Sequence, residues 1–135
     1  MIEFVKNMEN STFRWPVLVI DDDKDLCHIL ELAIVKSCKV HCEHTLATAK
    51  AYLTAGEPGI IFLDNNLPDG LGVASITGIL QGHPDTKIVL MTSEVGEGIC
   101  ERALGLGAAR FIAKPFNVST INQIIRSLVP ELPAG

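Results

Sequence analysis

The sequence predicts a single α/β domain in which a parallel β-sheet is covered by helices on both faces. Three observations lead to this prediction. Short apolar runs alternate five times with segments of helical periodicity. Polar turns rich in glycine, proline and asparagine separate many of these segments. The chain of 135 residues also fits one compact domain with an ordinary core.

The first strand and helix follow Pro16. Residues 17–20 form an apolar run without a polar member, which is typical of a central parallel strand covered on both faces. Asp23 is a suitable N-cap for a helix that continues to about Lys36. Residues 1–15 show no clear period and are interpreted as an N-terminal extension. The predicted domain spans residues 16–129, and residues 130–135 form a C-terminal tail or the start of a linker.

Four more units continue the alternation. Strands are predicted at residues 39–44, 60–63, 87–91 and 110–113, and helices at residues 45–55, 71–81, 94–106 and 117–128. Right-handed crossovers then require a doubly wound parallel sheet, for which we predict the flavodoxin-like strand order 2-1-3-4-5. In such sheets ligands bind beyond the carboxyl ends of the strands, here beside the first and third strands.

Composition excludes several classes of function. The net charge of −5 and the pI near 5.3 would repel nucleic-acid phosphates and anionic lipid, so direct binding to either is not expected. No apolar run approaches the roughly 20 residues that cross a bilayer, and no secretory signal is recognisable. We therefore expect a cytoplasmic protein. The four cysteines form no CxxC pair and are expected to be reduced, buried thiols.

Polar residues with related chemistry follow four of the predicted strands. Asp21 and Asp22 follow the first strand, Asp64 the third, Thr92 the fourth and Lys114 the fifth. Because the carboxyl ends of parallel strands share one edge of a sheet, we expect these side chains to converge. Carboxylates in a small volume repel one another unless a cation or a shared proton relieves them, and carboxylate oxygens suit Mg²⁺.

The same residues suggest phosphoryl transfer. A carboxylate attacks phosphorus to form an acyl phosphate when a metal ion and a lysine neutralise the developing charge. Asp64 is the best-placed nucleophile, because it ends a buried strand and precedes a polar turn. Asp21 and Asp22 form a pair better suited to holding the metal. Thr92 and Lys114 can supply a hydrogen bond and an ion pair to the phosphoryl group.

Four short strings together resemble the signature of response-regulator receiver domains of two-component signalling systems. They are Val-Leu-Val-Ile-Asp-Asp-Asp, Ile-Phe-Leu-Asp64-Asn-Asn-Leu-Pro-Asp-Gly, Val-Leu-Met-Thr92-Ser and Phe111-Ile-Ala-Lys114-Pro115-Phe116. The resemblance covers about residues 16–128. Each string is weak by itself, but four in the right order, each at a predicted strand end, form a specific signal.

This resemblance implies a signalling switch that catalyses only its own phosphorylation and dephosphorylation. Asp64 would accept a phosphoryl group from phospho-histidine on a sensor histidine kinase or a phosphotransfer protein. Asp22, Asp64 and the backbone carbonyl of Asn66 would bind Mg²⁺, with Asp21 reaching it largely through water. Pro115 would follow a cis peptide bond.

The resemblance also implies how the signal spreads. Thr92 would move toward the phosphoryl group, and the switch aromatic Phe111 would turn inward behind it, changing the face formed by the fourth helix, fifth strand and fifth helix. That face would support a phosphorylation-dependent homodimer. Asn66 and Glu94 occupy the positions that tune hydrolysis. Charged residues expected on the dimerising face are Arg102, Arg110 and Arg126.

Two alternatives use the same residues. A pseudo-receiver would use this fold as a docking module without phosphorylation, although the complete acidic site argues against it. A haloacid-dehalogenase-like phosphatase would use the Asp-x-Asp pattern of residues 21–23, but the Gly-Thr that usually follows is absent and that family needs a longer chain. Mg²⁺ binding would argue against the pseudo-receiver, because a docking module has no need of the metal. A BeF₃⁻ titration would separate a receiver from a phosphatase by showing which aspartate binds the mimic. The cognate kinase and the output partner are not identifiable from the sequence.

Overall fold

A five-stranded parallel sheet lies at the centre of the computed structural model, which describes residues 14–93 and 98–132. Its strands are β1 (Trp15–Ile20), β2 (Cys38–Glu43), β3 (Ile60–Asp64), β4 (Lys87–Thr92) and β5 (Arg110–Ala113). The α-helices are α1 (Lys24–Ala33), α2 (Leu46–Leu53), α3 (Ile76–Gly82), α4 (Ile99–Gly105) and α5 (Val118–Leu128). All neighbouring strands of this sheet are parallel in the order 2-1-3-4-5, which confirms the predicted fold class.

The sheet separates two hydrophobic layers, because successive strand residues point to opposite faces. Val17 and Val19 face the layer formed with α1 and α5. Leu18 and Ile20 face the layer formed with α2, α3 and α4. Each fully buried large aliphatic or aromatic side chain contributes roughly 1.5–3 kcal/mol of transfer free energy. The central strands β1, β3 and β4 are therefore held by apolar contacts, and their polar chemistry is confined to their ends.

The starts of three helices are set by side-chain caps. The Asp23 carboxylate accepts a hydrogen bond from the backbone N–H of Leu26 at 3.1 Å, which confirms the predicted N-cap of α1. Thr45 and Asn117 cap α2 and α5 in the same way. Because capping satisfies N–H groups that lack intrahelical partners, it defines where each helix begins.

The end of α1 differs from the sequence prediction. The helix stops at Ala33 rather than near Lys36, because Ile34 turns into extended backbone and enters the core. Asn122 of α5 lies across this end: its amide donates to the Ala33 carbonyl at 3.2 Å, and its side-chain oxygen accepts from the Val35 N–H at 3.0 Å. A contact between elements far apart in sequence thus ends the helix.

The segment after β3 also differs from the prediction of one helix over residues 71–81. A two-residue antiparallel pair, Asn66–Leu67 with Gly70–Leu71, comes first, followed by a 3₁₀ turn over Gly72–Ser75 and then α3. The helix predicted over residues 94–106 is described from Ile99, since residues 94–97 lie outside the described part of the chain. Within the described residues, no helix has the length and apolar character needed to cross a membrane.

The loop that leaves β3 returns to the strand end at Gly72. The Gly72 N–H donates to the Asn65 carbonyl at 2.8 Å, and the Val73 N–H donates to the Asn65 side chain at 3.0 Å. A Cβ atom on Gly72 would lie 2.2 Å from the Asp64 carbonyl oxygen. This backbone contact leaves no space for a side chain and holds the loop against the end of β3.

We predict opposite effects for two glycine substitutions. Gly72→Ala should lower the free energy of unfolding by roughly 1–3 kcal/mol, because the new methyl group overlaps the Asp64 backbone. Gly78→Ala should raise it by roughly 0.5–1 kcal/mol, because Gly78 lies inside α3 with nothing within 4 Å of the added methyl group. Urea unfolding followed by circular dichroism measures both. If both substitutions change the free energy of unfolding by the same amount and in the same direction, the close contact at Gly72 is contradicted.

Candidate functional site

The carboxyl ends of four strands bring the predicted polar residues to one edge of the sheet. Asp21 comes directly after β1, and Lys114 directly after β5, while Asp64 and Thr92 are the last residues of β3 and β4. Backbone hydrogen bonds extend past the strands: the Asp21 N–H donates to Glu43 at 3.0 Å, and the Lys114 N–H donates to Thr92 at 2.9 Å. The backbone on which these side chains stand is thereby held by the sheet itself.

Lys114 joins two of the carboxylates. Its Nζ atom lies 2.7 Å from Oδ2 of Asp21 and 3.2 Å from Oδ1 of Asp64. Asp21 is completely buried and Asp64 is only 4% exposed, so both carboxylates depend on protein partners rather than on bulk water. The Asp23 N–H also donates to Asp21 at 2.9 Å.

Asp22 completes an acidic cluster at this edge. One carboxylate oxygen from each of Asp21, Asp22 and Asp64 lies within 4.8 Å of the others, and Asp22 is exposed to solvent. The backbone N–H of Asn66 donates to the Asp64 carboxylate, which places Asn66 beside the cluster. Clustered carboxylate oxygens, one of them on the solvent side, fit a hard divalent cation such as Mg²⁺.

The electrostatics of the site are unbalanced toward negative charge. Burial and the neighbouring Asp21 charge raise the pKa of Asp64, and the Lys114 ammonium only partly opposes this effect. Burial acts against the charge of Lys114, but its hydrogen bonds and ion pairs with Asp21 and Asp64 outweigh burial and raise its pKa. One ammonium group therefore faces more carboxylate charge than it neutralises, and an added cation would relieve the excess.

Two residues that sequence reasoning did not select support Asp21 from behind. The Asp21 backbone carbonyl accepts hydrogen bonds from the Cys27 thiol at 3.7 Å and from Nδ1 of His44 at 2.8 Å. His44 directly follows β2, so its position at the same sheet edge was the available signal. Cys27 lies on the buried face of α1, and its spacing is that of an ordinary core residue.

Asp69 is a third residue that the sequence reasoning missed. Its carboxylate accepts hydrogen bonds from the N–H groups of Leu46 at 2.8 Å and Ala47 at 2.9 Å, at the start of α2. These bonds lower the pKa of Asp69. They tie the loop after β3 to a helix N-terminus, where negative charge is stabilised. The Leu-Pro-Asp-Gly turn predicted a loop but not this attachment.

The other predicted residues that the structure describes lie outside the group of three carboxylates. The Thr92 side chain is completely buried, whereas Phe111 pairs with Leu90 in the sheet and is 42% exposed. The Lys114–Pro115 peptide bond is cis. Glu94 lies outside the described residues. A cavity of about 320 Å³ beside the site is lined by Asp23, Leu26, Ser93, Lys114, Pro115 and Phe116.

Comparison with known families matches most of the chain. The family model for the response regulator receiver domain matches residues 17–126. The transcriptional regulatory protein KdpE of Staphylococcus aureus is 32% identical over 111 residues, which cover 82% of this chain. The match covers 48% of KdpE, so the chain spans about half the length of that relative.

Solved structures share the fold. A two-component response regulator from Clostridium difficile superposes with a TM-score of 0.82 at 24% identity, covering 87% of this chain and 97% of that one. A response regulator from Burkholderia pseudomallei, solved with a phosphorylated aspartic acid, a calcium ion and citrate, has a TM-score of 0.73 at 23% identity. That match covers 88% of this chain and 75% of the Burkholderia chain.

Asp64 and Asp69 should affect stability in opposite directions. The raised pKa of Asp64 means that its stabilising form is the protonated one: the contribution is complete below the ordinary value of 3.8 and is lost as pH rises through the raised pKa. Asp64→Asn should therefore increase the free energy of unfolding at neutral pH, because the amide removes the disfavoured charge. The increase should shrink as pH falls, when wild-type Asp64 becomes protonated.

Asp69→Asn is the matched comparison. Because the pKa of Asp69 is lowered, its contribution is present above 3.8 and is lost as pH falls through the lowered pKa. This substitution should therefore decrease the free energy of unfolding at neutral pH. Urea titrations of both variants in Mg²⁺-free buffer at a series of pH values measure the two trends. If Asp64→Asn instead lowers the free energy of unfolding at neutral pH, the ionised Asp64 carboxylate stabilises the folded protein and the prediction is wrong.

Proposed function

The chain belongs to the response regulator receiver domain family, and we propose that it is a phosphoryl-accepting signalling switch in which Asp64 takes the phosphoryl group. The observation that carries this proposal is the Lys114 ammonium held between Asp21 and Asp64, within a cluster of three carboxylates. A lysine and a cation-binding cluster around one carboxylate are what phosphoryl transfer to that carboxylate requires.

Among the three aspartates, Asp64 has the surroundings of a nucleophile. Asp21 is completely buried and accepts from both Lys114 and the Asp23 N–H. Asp22 is exposed, and it is free to serve as a metal ligand from the solvent side. Asp64 lies between the Lys114 ammonium and the Asn66 N–H, and its raised pKa marks a more basic carboxylate. Greater basicity favours attack on phosphorus.

The proposed donor is phospho-histidine on a sensor histidine kinase or a phosphotransfer protein. An Asp64 carboxylate oxygen attacks phosphorus, the donor's P–N bond breaks, and its electron pair leaves with the imidazole nitrogen. Lys114 would form an ion pair with the phosphoryl oxygens of the new acyl phosphate. Asp22, Asp64 and the Asn66 carbonyl would hold Mg²⁺ directly and Asp21 through water, and the ion would neutralise charge on the transferred group.

The switch is proposed to act through Thr92 and Phe111. Thr92 is buried at the end of β4, and its backbone carbonyl accepts a hydrogen bond from the Lys114 N–H. A shift of Thr92 toward a phosphoryl group would therefore move the end of β5 as well. Phe111 of β5 is 42% exposed, and inward rotation of its ring would bury apolar surface. The face formed by α4, β5 and α5 would change with it and support a phosphorylation-dependent homodimer.

The wider setting of the switch is also proposed. Residues 16–129 would form the receiver domain, residues 1–15 an extension, and residues 130–135 a tail or the start of a linker. The output would be a further domain or a partner protein. We propose that signalling takes place in the cytoplasm, where a kinase could supply the phosphoryl group.

Phosphorylation by a small donor tests the acceptor directly. Incubation with acetyl phosphate and Mg²⁺ should add one phosphoryl group to the wild-type protein, as measured by intact mass. Asp64→Asn should lose the adduct completely, because an amide is not a nucleophile toward phosphorus. Asp69→Asn should keep it, because Asp69 is an exposed aspartate of the same loop that lies outside the acidic cluster. An unmodified wild-type protein would favour the pseudo-receiver alternative.

Metal binding is tested separately by stability. Mg²⁺ should raise the free energy of unfolding of the wild-type protein by about 2.7 kcal/mol at a concentration 100 times its dissociation constant. Asp22→Asn should weaken Mg²⁺ binding on the order of tenfold or more, because one carboxylate ligand is lost. Asp25→Asn, an exposed aspartate in the first turn of α1, is the control and should bind Mg²⁺ normally. The absence of stabilisation by millimolar Mg²⁺ would contradict the metal site.

The surface change is tested with BeF₃⁻ as a phosphoryl mimic. Amide NMR shifts should change along β5 and α5 as well as at the acidic cluster, and Phe111→Ala should confine the changes to the cluster. Asp64→Asn should show no response. Sedimentation of the wild-type protein should show a doubled mass when the mimic is present. If the NMR shifts of the wild type change only at the cluster, the proposed surface change is rejected. If the protein stays a monomer with the mimic, the proposed homodimer is rejected.

A further inference from the structure

The peptide group that joins Asp21 to Asp22 is held at its carbonyl oxygen. This oxygen accepts a hydrogen bond from Nδ1 of His44 at 2.8 Å and a second one from the Cys27 thiol at 3.7 Å. Because a carbonyl oxygen can only accept, Nδ1 of His44 carries the hydrogen. A thiol is a weak donor, so the imidazole makes the stronger of the two bonds. His44 therefore does most to hold this peptide group in place.

His44 acts at the point where the backbone pairing of β1 with β2 ends. The Asp21 N–H still donates to the Glu43 carbonyl at 3.0 Å, one residue beyond the end of β1. The chain then turns into α2, for which Thr45 is the N-cap. The His44 side chain thus supplies a donor to the Asp21 carbonyl at the place where β2 no longer supplies a backbone donor.

Asp22 depends on its backbone more than the other two carboxylates of the acidic cluster do. The Asp21 and Asp64 carboxylates both contact the Lys114 ammonium, which holds their side chains. The Asp22 side chain is exposed, and no hydrogen bond or ion pair joins it to another residue in the part of the chain that the structure describes. The position of the Asp22 carboxylate is therefore set by its backbone, which includes the peptide group that His44 holds.

We propose that His44 is a positioning residue of the metal site, which fixes the Asp21–Asp22 peptide group so that the Asp22 carboxylate stays beside the other two. Without this hydrogen bond the peptide group can rotate, and the Asp22 carboxylate spends less time near Asp21 and Asp64. Loss of a partner that holds a metal ligand in place typically weakens metal binding by roughly 10–100-fold. This inference rests on the proposed function, in which the acidic cluster holds Mg²⁺, and extends it to a residue outside the cluster.

Mg²⁺ titrations of three variants test the role of His44. His44→Ala removes the donor and should raise the Mg²⁺ dissociation constant on the order of tenfold. His44→Asn should restore most of the affinity, because the Asn amide nitrogen lies as many bonds from the backbone as Nδ1 does and can also donate. His41→Ala is the matched control, since His41 lies on β2 and pairs with Glu43 at 2.6 Å. This control should bind Mg²⁺ as the wild type does.

Two readouts separate positioning from a general loss of stability. Amide NMR gives the Mg²⁺ dissociation constant of each folded variant without a phosphoryl donor. The Asp22 amide resonance should also move in His44→Ala before metal is added, because this amide belongs to the peptide group that His44 holds. With acetyl phosphate, the Mg²⁺ concentration that gives half the maximal labelling rate should rise in His44→Ala. The labelling rate at saturating Mg²⁺ should change much less, because Asp64 and Lys114 are untouched.

The contrary outcomes distinguish this inference from the proposed function. If His44→Ala binds Mg²⁺ as tightly as the wild type, the positioning role is overturned. Equal weakening of Mg²⁺ binding in His44→Ala and His44→Asn would also overturn it, because the donor would then not be what matters. If His44→Ala binds Mg²⁺ more weakly and His44→Asn restores binding, but acetyl phosphate modifies no form of the protein, the role of His44 stands and the acceptor role of Asp64 fails.

Discussion

The contact of Lys114 with both Asp21 and Asp64 is the interaction on which the rest of the site depends. Two carboxylates that are almost completely buried would repel each other at this sheet edge without a cation between them. Removing the lysine would leave both carboxylates without their cation, and the loss of one partner from a buried ion pair typically costs about 3–5 kcal/mol. The lysine thus allows the acidic residues to lie as close together as the proposed metal ion and phosphoryl group require.

The sheet makes this contact geometrically possible. Lys114 lies 93 positions from Asp21 in the chain, and the two meet because β1, β3, β4 and β5 are parallel neighbours whose carboxyl ends share one edge. The central strands β1, β3 and β4 bury apolar side chains on both faces, so packing of the two hydrophobic layers sets their register. Gly72 and Asp69 then hold the loop after β3, one through a close backbone approach and the other through α2.

The lysine does not neutralise the site completely, and this imbalance has a function in the proposed switch. The raised pKa of Asp64 shows that its negative charge is disfavoured in the folded protein. A bound cation would relieve that charge, so the same feature that lowers stability favours metal binding. Behind the cluster, the Cys27 thiol and His44 hold the Asp21 carbonyl, which links the acidic edge to the core between α1 and β2.

The sequence by itself determined the fold class, the strand order and the positions of Asp21, Asp22, Asp64, Thr92 and Lys114 at strand ends. It did so because apolar periodicity, caps such as Asp23 and turn residues are local signals, and parallel βα units permit few topologies. Only the tertiary structure decided that Asn122 ends α1, that Asp69 binds the start of α2 and that the Cys27 thiol reaches the Asp21 carbonyl. Each of these contacts joins residues from different elements, whose approach depends on packing geometry that no local pattern records.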